Sequence, residues 1–279
     1  MSKKPKLFSI ALVSVAMILM LISITDAALF AHIKNNSNKT VSTLHLVNNA
    51  ITATINVEDT PVGIAVSPDG TKAYVVGKKV SVINTKTNTV TAKVTGLSSP
   101  NKIVVNPAGT KMYLTDYSNN NVYVVSTKTN TVIATVPIGA QPKEIAVNPA
   151  GTILYVVNGN NVSVTNTKTN TVTDTVPVGS NPGRIAIASD GTKVYVVNQG
   201  TFDIPDNTVS IIDTKTNTVA DTVNVGVNPS IIAIAPDGTK VYVADHDNNT
   251  VSVIDTSTNT TEVSNSDFHK LSGSKTKLP

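Results

Sequence analysis

PGRIAIASDGTKVYVVNQGTFDIPDNTVSIIDTKTNTVADTVNVGVN, residues 182–228, divides into four short runs separated by turn residues. The runs at 185–187, 193–197, 208–212 and 218–225 are rich in Val, Ile, Thr and Tyr, the composition of β-strands. Asp190 and Gly191 supply a tight turn between the first two, because glycine accepts the positive φ that most residues resist. Between the last two, Asp213, Thr214, Lys215, Thr216 and Asn217 form a polar hairpin whose Asp and Asn can bond their own backbone.

The same pattern is written five times, as SPDGTKAYVV at 67–76, NPAGTKMYLT at 106–115, NPAGTILYVV at 148–157, SDGTKVYVV at 189–197 and APDGTKVYVA at 235–244. A proline opens each unit at 61, 100, 142, 182 and 229, so the spacings are 39, 42, 40 and 47. The long interval carries QGTFDIPDN, 199–207, inserted between the second and third strands. Tandem units of this length signal stacked or circular repeats. Four antiparallel strands per unit, apolar on both faces and with no helical period after residue 30, predict an all-β β-propeller of four-stranded blades. The recurring Tyr74, Tyr113, Tyr155, Tyr195 and Tyr242 are read as blade-to-blade packing with hydroxyls at polar rims.

The units are 61–99, 100–141, 142–181, 182–228 and 229–264, with a partial repeat at 28–60, giving a propeller over 28–264. Six blades are favoured and five is the alternative count. In the six-blade reading, residues 29–33 form a second strand and 41–57 the outer pair of a split blade. Its missing inner strand comes from the C-terminal tail, 265–279, near 268–271. Closure by both termini removes an exposed sheet edge.

Residues 1–27 differ in kind. Lys3, Lys4 and Lys6 precede an apolar run from 7 to 25, and Thr25 and Ala27 suit a cut after Ala27, which predicts a signal peptide or, uncleaved, an N-terminal anchor helix. The rest of the chain is then expected outside the cytoplasm, extracellular or at the cell surface. The absence of cysteine excludes disulfides and thiolate metal sites. A net charge of +4, with 19 basic and 17 acidic residues left beyond residue 27, excludes a nucleic-acid partner. Membrane contact is expected only through the N-terminal segment.

PDGTKVYVVN followed by NTVSIIDTKTNTV resembles the YVTN family of β-propeller repeats found in archaeal surface-layer and other exported proteins, although YVVN and YVAD replace the eponymous tetrapeptide. The resemblance covers roughly residues 28–264. It implies an extracytoplasmic propeller and brings no catalytic residue with it.

Loops joining second to third strands share a face with those joining one unit to the next, and candidate ligand contacts there are Asp116, Tyr117, Asn160, Phe202, Asp203, Asp206, Asp245, His246 and Asp247. Asp245 and Asp247 lack the Gly and distal Glu of a calcium loop, so no metal site is expected, and no cofactor. Lys86, Lys128, Lys168 and Lys215 ring the opposite face. Asn35, Asn38, Asn161, Asn248 and Asn259 stand in sequons and are candidate glycosylation sites. The four histidines are scattered, and Glu144 is the one glutamate beside an inner strand. These features predict a non-catalytic exported or cell-surface propeller, not an enzyme, that presents loops to a surface protein or glycan in surface-layer or adhesion fashion. The alternative is a propeller enzyme, such as a lactonase or a quinone-dependent dehydrogenase-like protein. That alternative calls for at least two carboxylates or histidines converging at the axis.

Overall fold

The computed structural model describes residues 21–25, 28–35, 37–45, 50–201 and 203–264. Among them there is no helix, and the strands form six four-stranded antiparallel sheets, each with its strands in chain order. We number these blades 1 (21–56), 2 (63–94), 3 (100–137), 4 (142–177), 5 (182–224) and 6 (229–264). The innermost strands of successive blades, such as Pro100–Val105, Pro142–Val147 and Pro182–Ile187, pack side by side around a common axis. The chain is a β-propeller. The N-terminal helix expected for signal or anchor, and Phe202, lie outside the described residues, apart from Leu21–Thr25.

That exception corrects the expected ring closure. Leu21–Thr25 is a strand paired in register with Ala28–His32, so it is the inner strand of blade 1, the place expected for residues 268–271, which lie outside the described residues. Pairing in this sheet and crossing a membrane are mutually exclusive states for Leu21–Thr25.

The repeated phrases are turn hardware. Gly70, Gly109, Gly151, Gly191 and Gly238 all have φ between 68° and 74°, and each amide closes a turn on the carbonyl three residues earlier. The threonine that opens each outer hairpin then locks onto that turn: Thr85, Thr127, Thr167, Thr214 and Thr256 donate Oγ1 to the glycine carbonyls at 2.6–2.8 Å. The hairpin's last residue, Asn88, Asn130, Asn170, Asn217 or Asn259, takes φ of 53–56°, which asparagine tolerates. Lysines tie blades together: Lys111 Nζ donates to Thr167 O at 3.2 Å and Lys193 Nζ to Thr256 O at 2.6 Å, each one blade further on.

The core lies between blades. Tyr195, Val197, Val209 and Ile211 of blade 5 pack on Val241, Val243 and Ile254 of blade 6, and the same arrangement joins each earlier pair. Ala65, Ala146, Ala186 and Ala233 stand across from Tyr74, Tyr155, Tyr195 and Tyr242 as the middle residues of their inner strands, with Val104 in that place for Tyr113. A small side chain there leaves room for the ring to lie over the strand. In blade 1 His32 takes the tyrosine's place, buried, with Nδ1 3.2 Å from Thr43 Oγ1, and burial lowers its pKa.

The expected polar rim for the hydroxyls is not reached by Tyr195, whose oxygen is buried without a hydrogen-bond partner. Burial pushes its pKa up to about 12. Tyr195→Ala is expected to destabilise the protein by about 3–5 kcal/mol, while Tyr195→Phe leaves stability unchanged or raised because no bond is lost. The raised pKa gives a sign: below pH 10 the hydroxyl is neutral in both states, and above it the unfolded chain ionises first, so stability falls as pH rises through 10 toward 12. Denaturant titrations at pH 8 and pH 11 should show Tyr195→Phe losing less than the parent over that interval.

Candidate functional site

In blades 3 to 6 the inner strand begins at its proline, beside the end of the second strand, as Pro100 pairs Asp116 and Pro142 pairs Asn158. The next two side chains therefore stand at the axial mouth on the face that carries the second-to-third-strand loops. In blades 3, 4 and 5 these are Asn101 and Lys102, Lys143 and Glu144, Gly183 and Arg184. With Gln199 they line a cavity of about 290 Å³.

One carboxylate meets several cations there. Arg184 Nη1 donates to Glu144 Oε2 at 2.5 Å, Lys102 Nζ lies 3.9 Å from the same oxygen, and all three side chains are 20–23% exposed. Arg184 Nε donates to Ser230 O at 3.2 Å, so the guanidinium spans blades 4 to 6. Lys143 Nζ donates to Asn181 Oδ1 at 2.5 Å, and Asn181 Nδ2 donates to Gly200 O at 2.7 Å. Gln199 Nε2 donates to Pro229 O at 2.9 Å. A Cβ on Gly183 would stand 2.6 Å from Gln199 Oε1, so a larger residue there would displace the end of the glutamine from its present position.

The insertion 199–207 thus serves the mouth. It lengthens the blade 5 hairpin to Lys193–Gly200 and Pro205–Asp213, pairs Gly200 with Pro205, and is pinned by Ser180 N donating to Asp206 Oδ2 at 2.5 Å. Burial lowers the Lys102 pKa, an effect that Glu144 opposes and Arg184 reinforces. Burial also lowers Lys143. Lys34, on blade 1, is lowered by burial and then by the charges of Lys102 and Arg184, which places it in the same electrostatic field. A half-desolvated mouth with this balance attracts anions and can polarise a carbonyl oxygen.

The residues nominated from sequence are distributed otherwise. Asp116 and Asp245 are buried at the ends of their second strands. Asp116 accepts from Tyr123 Oη and Asn119 Nδ2, both at 2.8 Å, and these bonds with those from backbone amides hold its carboxyl low against the upward push of burial. Asp245 Oδ2 accepts from Ser252 Oγ at 2.8 Å and Thr250 Oγ1 at 3.0 Å. Tyr117, Asn160 and Asp203 are exposed on the loops, and Asp206 braces the insertion. His246 Nδ1 lies 2.8 Å from Asp247 Oδ1, at the surface. No group of three metal-binding side chains occurs among the described residues. Of the sequons, Asn38 and Asn248 are exposed, while the amides of Asn35 and Asn259 donate to Ser42 and Asp221.

Sequence reasoning missed Lys102, Lys143 and Arg184. A signal existed: between the opening proline and the isoleucine three residues on, the units read Val62–Gly63, Asn101–Lys102, Lys143–Glu144, Gly183–Arg184 and Ser230–Ile231, two positions that vary between two that repeat. The structure also supplies one carboxylate with basic partners where two carboxylates or histidines were called for.

Residues 160–277, under half of the chain, match the family described as lactonase, 7-bladed β-propeller. Solved structures that share the fold include the following two. Kuenenia stuttgartiensis hydrazine synthase has a TM-score of 0.73 at 21% identity, over 84% of this chain and 75% of that one. A functionally unknown protein from Desulfotomaculum acetoxidans DSM 771 has 0.70 at 16%, over 82% and 79%. Among curated proteins there is no match. At these identities the structural likeness is one of fold. The lactonase match overturns the expectation of a non-catalytic surface-layer or adhesion propeller and favours an enzyme-type propeller.

Small dicarboxylates are expected to raise the melting temperature, since a ligand that binds only the folded state adds about 2.7 kcal/mol at a hundredfold excess over Kd. Arg184→Ala should abolish the shift and added salt should shrink it, both read by differential scanning fluorimetry.

Proposed function

We propose that the chain is a propeller enzyme that hydrolyses an anionic lactone at its axial mouth. The observation that carries this reading is the Lys102–Glu144–Arg184 cluster facing a cavity on the axis, and the lactonase-family match over 160–277 supports it. Arg184 and Lys102 receive the substrate's anionic group and acyl oxygen, which loosens their hold on Glu144. Glu144 then orients a water and takes its proton as the oxygen adds to the acyl carbon. The ring C–O bond breaks, and the departing ring oxygen takes a proton from Lys143, leaving a hydroxy acid. Lys143 is held at the rim by Asn181, and its lowered pKa makes it a better acid than an exposed lysine.

The finer features fit the same reading. The repeats resemble the YVTN type, and the lysine-headed apolar N-terminus favours action outside the cytoplasm, by a route that leaves Leu21–Thr25 in its sheet rather than cleaved off or held in a membrane.

Purified full-length protein should open carboxylate- or phosphate-bearing γ- and δ-lactones faster than neutral ones, followed by proton release in weak buffer. Glu144→Gln should lower kcat by about 10²–10⁴-fold, and Arg184→Ala should act mainly on KM. Failure to open any lactone in such a panel, or undiminished turnover by Glu144→Gln, sinks the proposal.

A further inference from the structure

Blades 2 to 5 each bury their tyrosine against the blade that follows. Tyr74, Tyr113, Tyr155 and Tyr195 are at most 2% exposed, whereas Tyr242 of blade 6, in the same register, is 43% exposed and Ile231 is 46% exposed. Ala233, across from Tyr242, is exposed as well, and half-buried Val251 and Val253 carry the face outward. Among the described residues no strand packs on it as the inner strand of blade 6 packs on blade 5. An apolar sheet face of this kind marks a docking surface.

The chain contains a segment suited to it. The fourth strand of blade 6 ends at Ser264, where in every earlier blade the chain crosses to the next inner strand. Residues 265–279 follow, and within them Ser272, Gly273, Ser274 and Lys275 echo Asp237, Gly238, Thr239 and Lys240. Val243, five residues after Gly238, belongs to the cluster that covers Tyr195, and Leu278 stands five residues after Gly273. The lactonase-family match also continues to residue 277, beyond the last strand. We propose that residues 265–279 cover the Ile231–Tyr242 face as the inner hairpin of a further blade, with Leu278 in the role that Val243 plays for Tyr195.

The chain has no cysteine, so Ala233→Cys places a single thiol on this face. In the otherwise intact full-length protein, maleimide should label this thiol at least about tenfold more slowly than after truncation at Ser264. Leu278→Asp in the full chain should bring the same acceleration, and it serves as the readout if the truncated chain does not fold. Equal rates in the intact and altered tails overturn the proposal. So does protection that survives truncation and grows with protein concentration, since a second copy would then be the cover.

Discussion

A β-sheet that is apolar on both faces cannot stand alone, and every blade of this protein is such a sheet. In blades 2 to 5 the tyrosine lies across from the middle residue of its inner strand and is closed off by apolar side chains of the next blade, so the burial that stabilises one blade belongs to a pair. The turn clasps serve this constraint. Thr214 bound to Gly191 O fixes the outer hairpin against the inner one, and Lys193 reaching Thr256 O fixes one blade's rim against its neighbour's. Such bonds contribute about 1 kcal/mol each. Their worth lies in holding flat sheets at one inclination so that the apolar faces meet.

The parts of the fold that recur were legible because recurrence separates requirement from chance. Five glycines at one register announce a positive φ, and five tyrosines announce a packing role. The inner strand of blade 1 was not legible. LISIT, residues 21–25, lies at the end of an uncharged run headed by lysines, and the run as a whole reads as an export signal before its last five residues read as a strand. His32 was equally opaque, because a single histidine in a tyrosine's place looks like an unrelated residue until strand pairing aligns it.

The site was hidden by the same logic that exposed the fold. Side chains between blades are fixed by their neighbours, so they repeat. At the start of the inner strands the neighbour is the open axis, and steric selection is lifted. Lys102, Glu144 and Arg184 differ from one another because nothing in the blade packing dictates them. Asp116, and Asp245 through Oδ2, which drew attention as acidic loop residues, accept hydrogen bonds that close their own blades. In a repeat protein the chemistry is better sought where the repeat breaks register than where it is most polar.

Ring geometry and site electrostatics are therefore one problem. Glu144 and Arg184 sit on adjacent blades and can meet at 2.5 Å only because the interface between blades 4 and 5 holds their strands at a fixed distance. Lys34 contributes from blade 1, whose inner strand packs on that of blade 2 as the inner strand of blade 2 packs on that of blade 3. The positive field at the mouth is therefore set by the spacing of inner strands about the axis, which decides how far the cations stand from one another and how much water separates them.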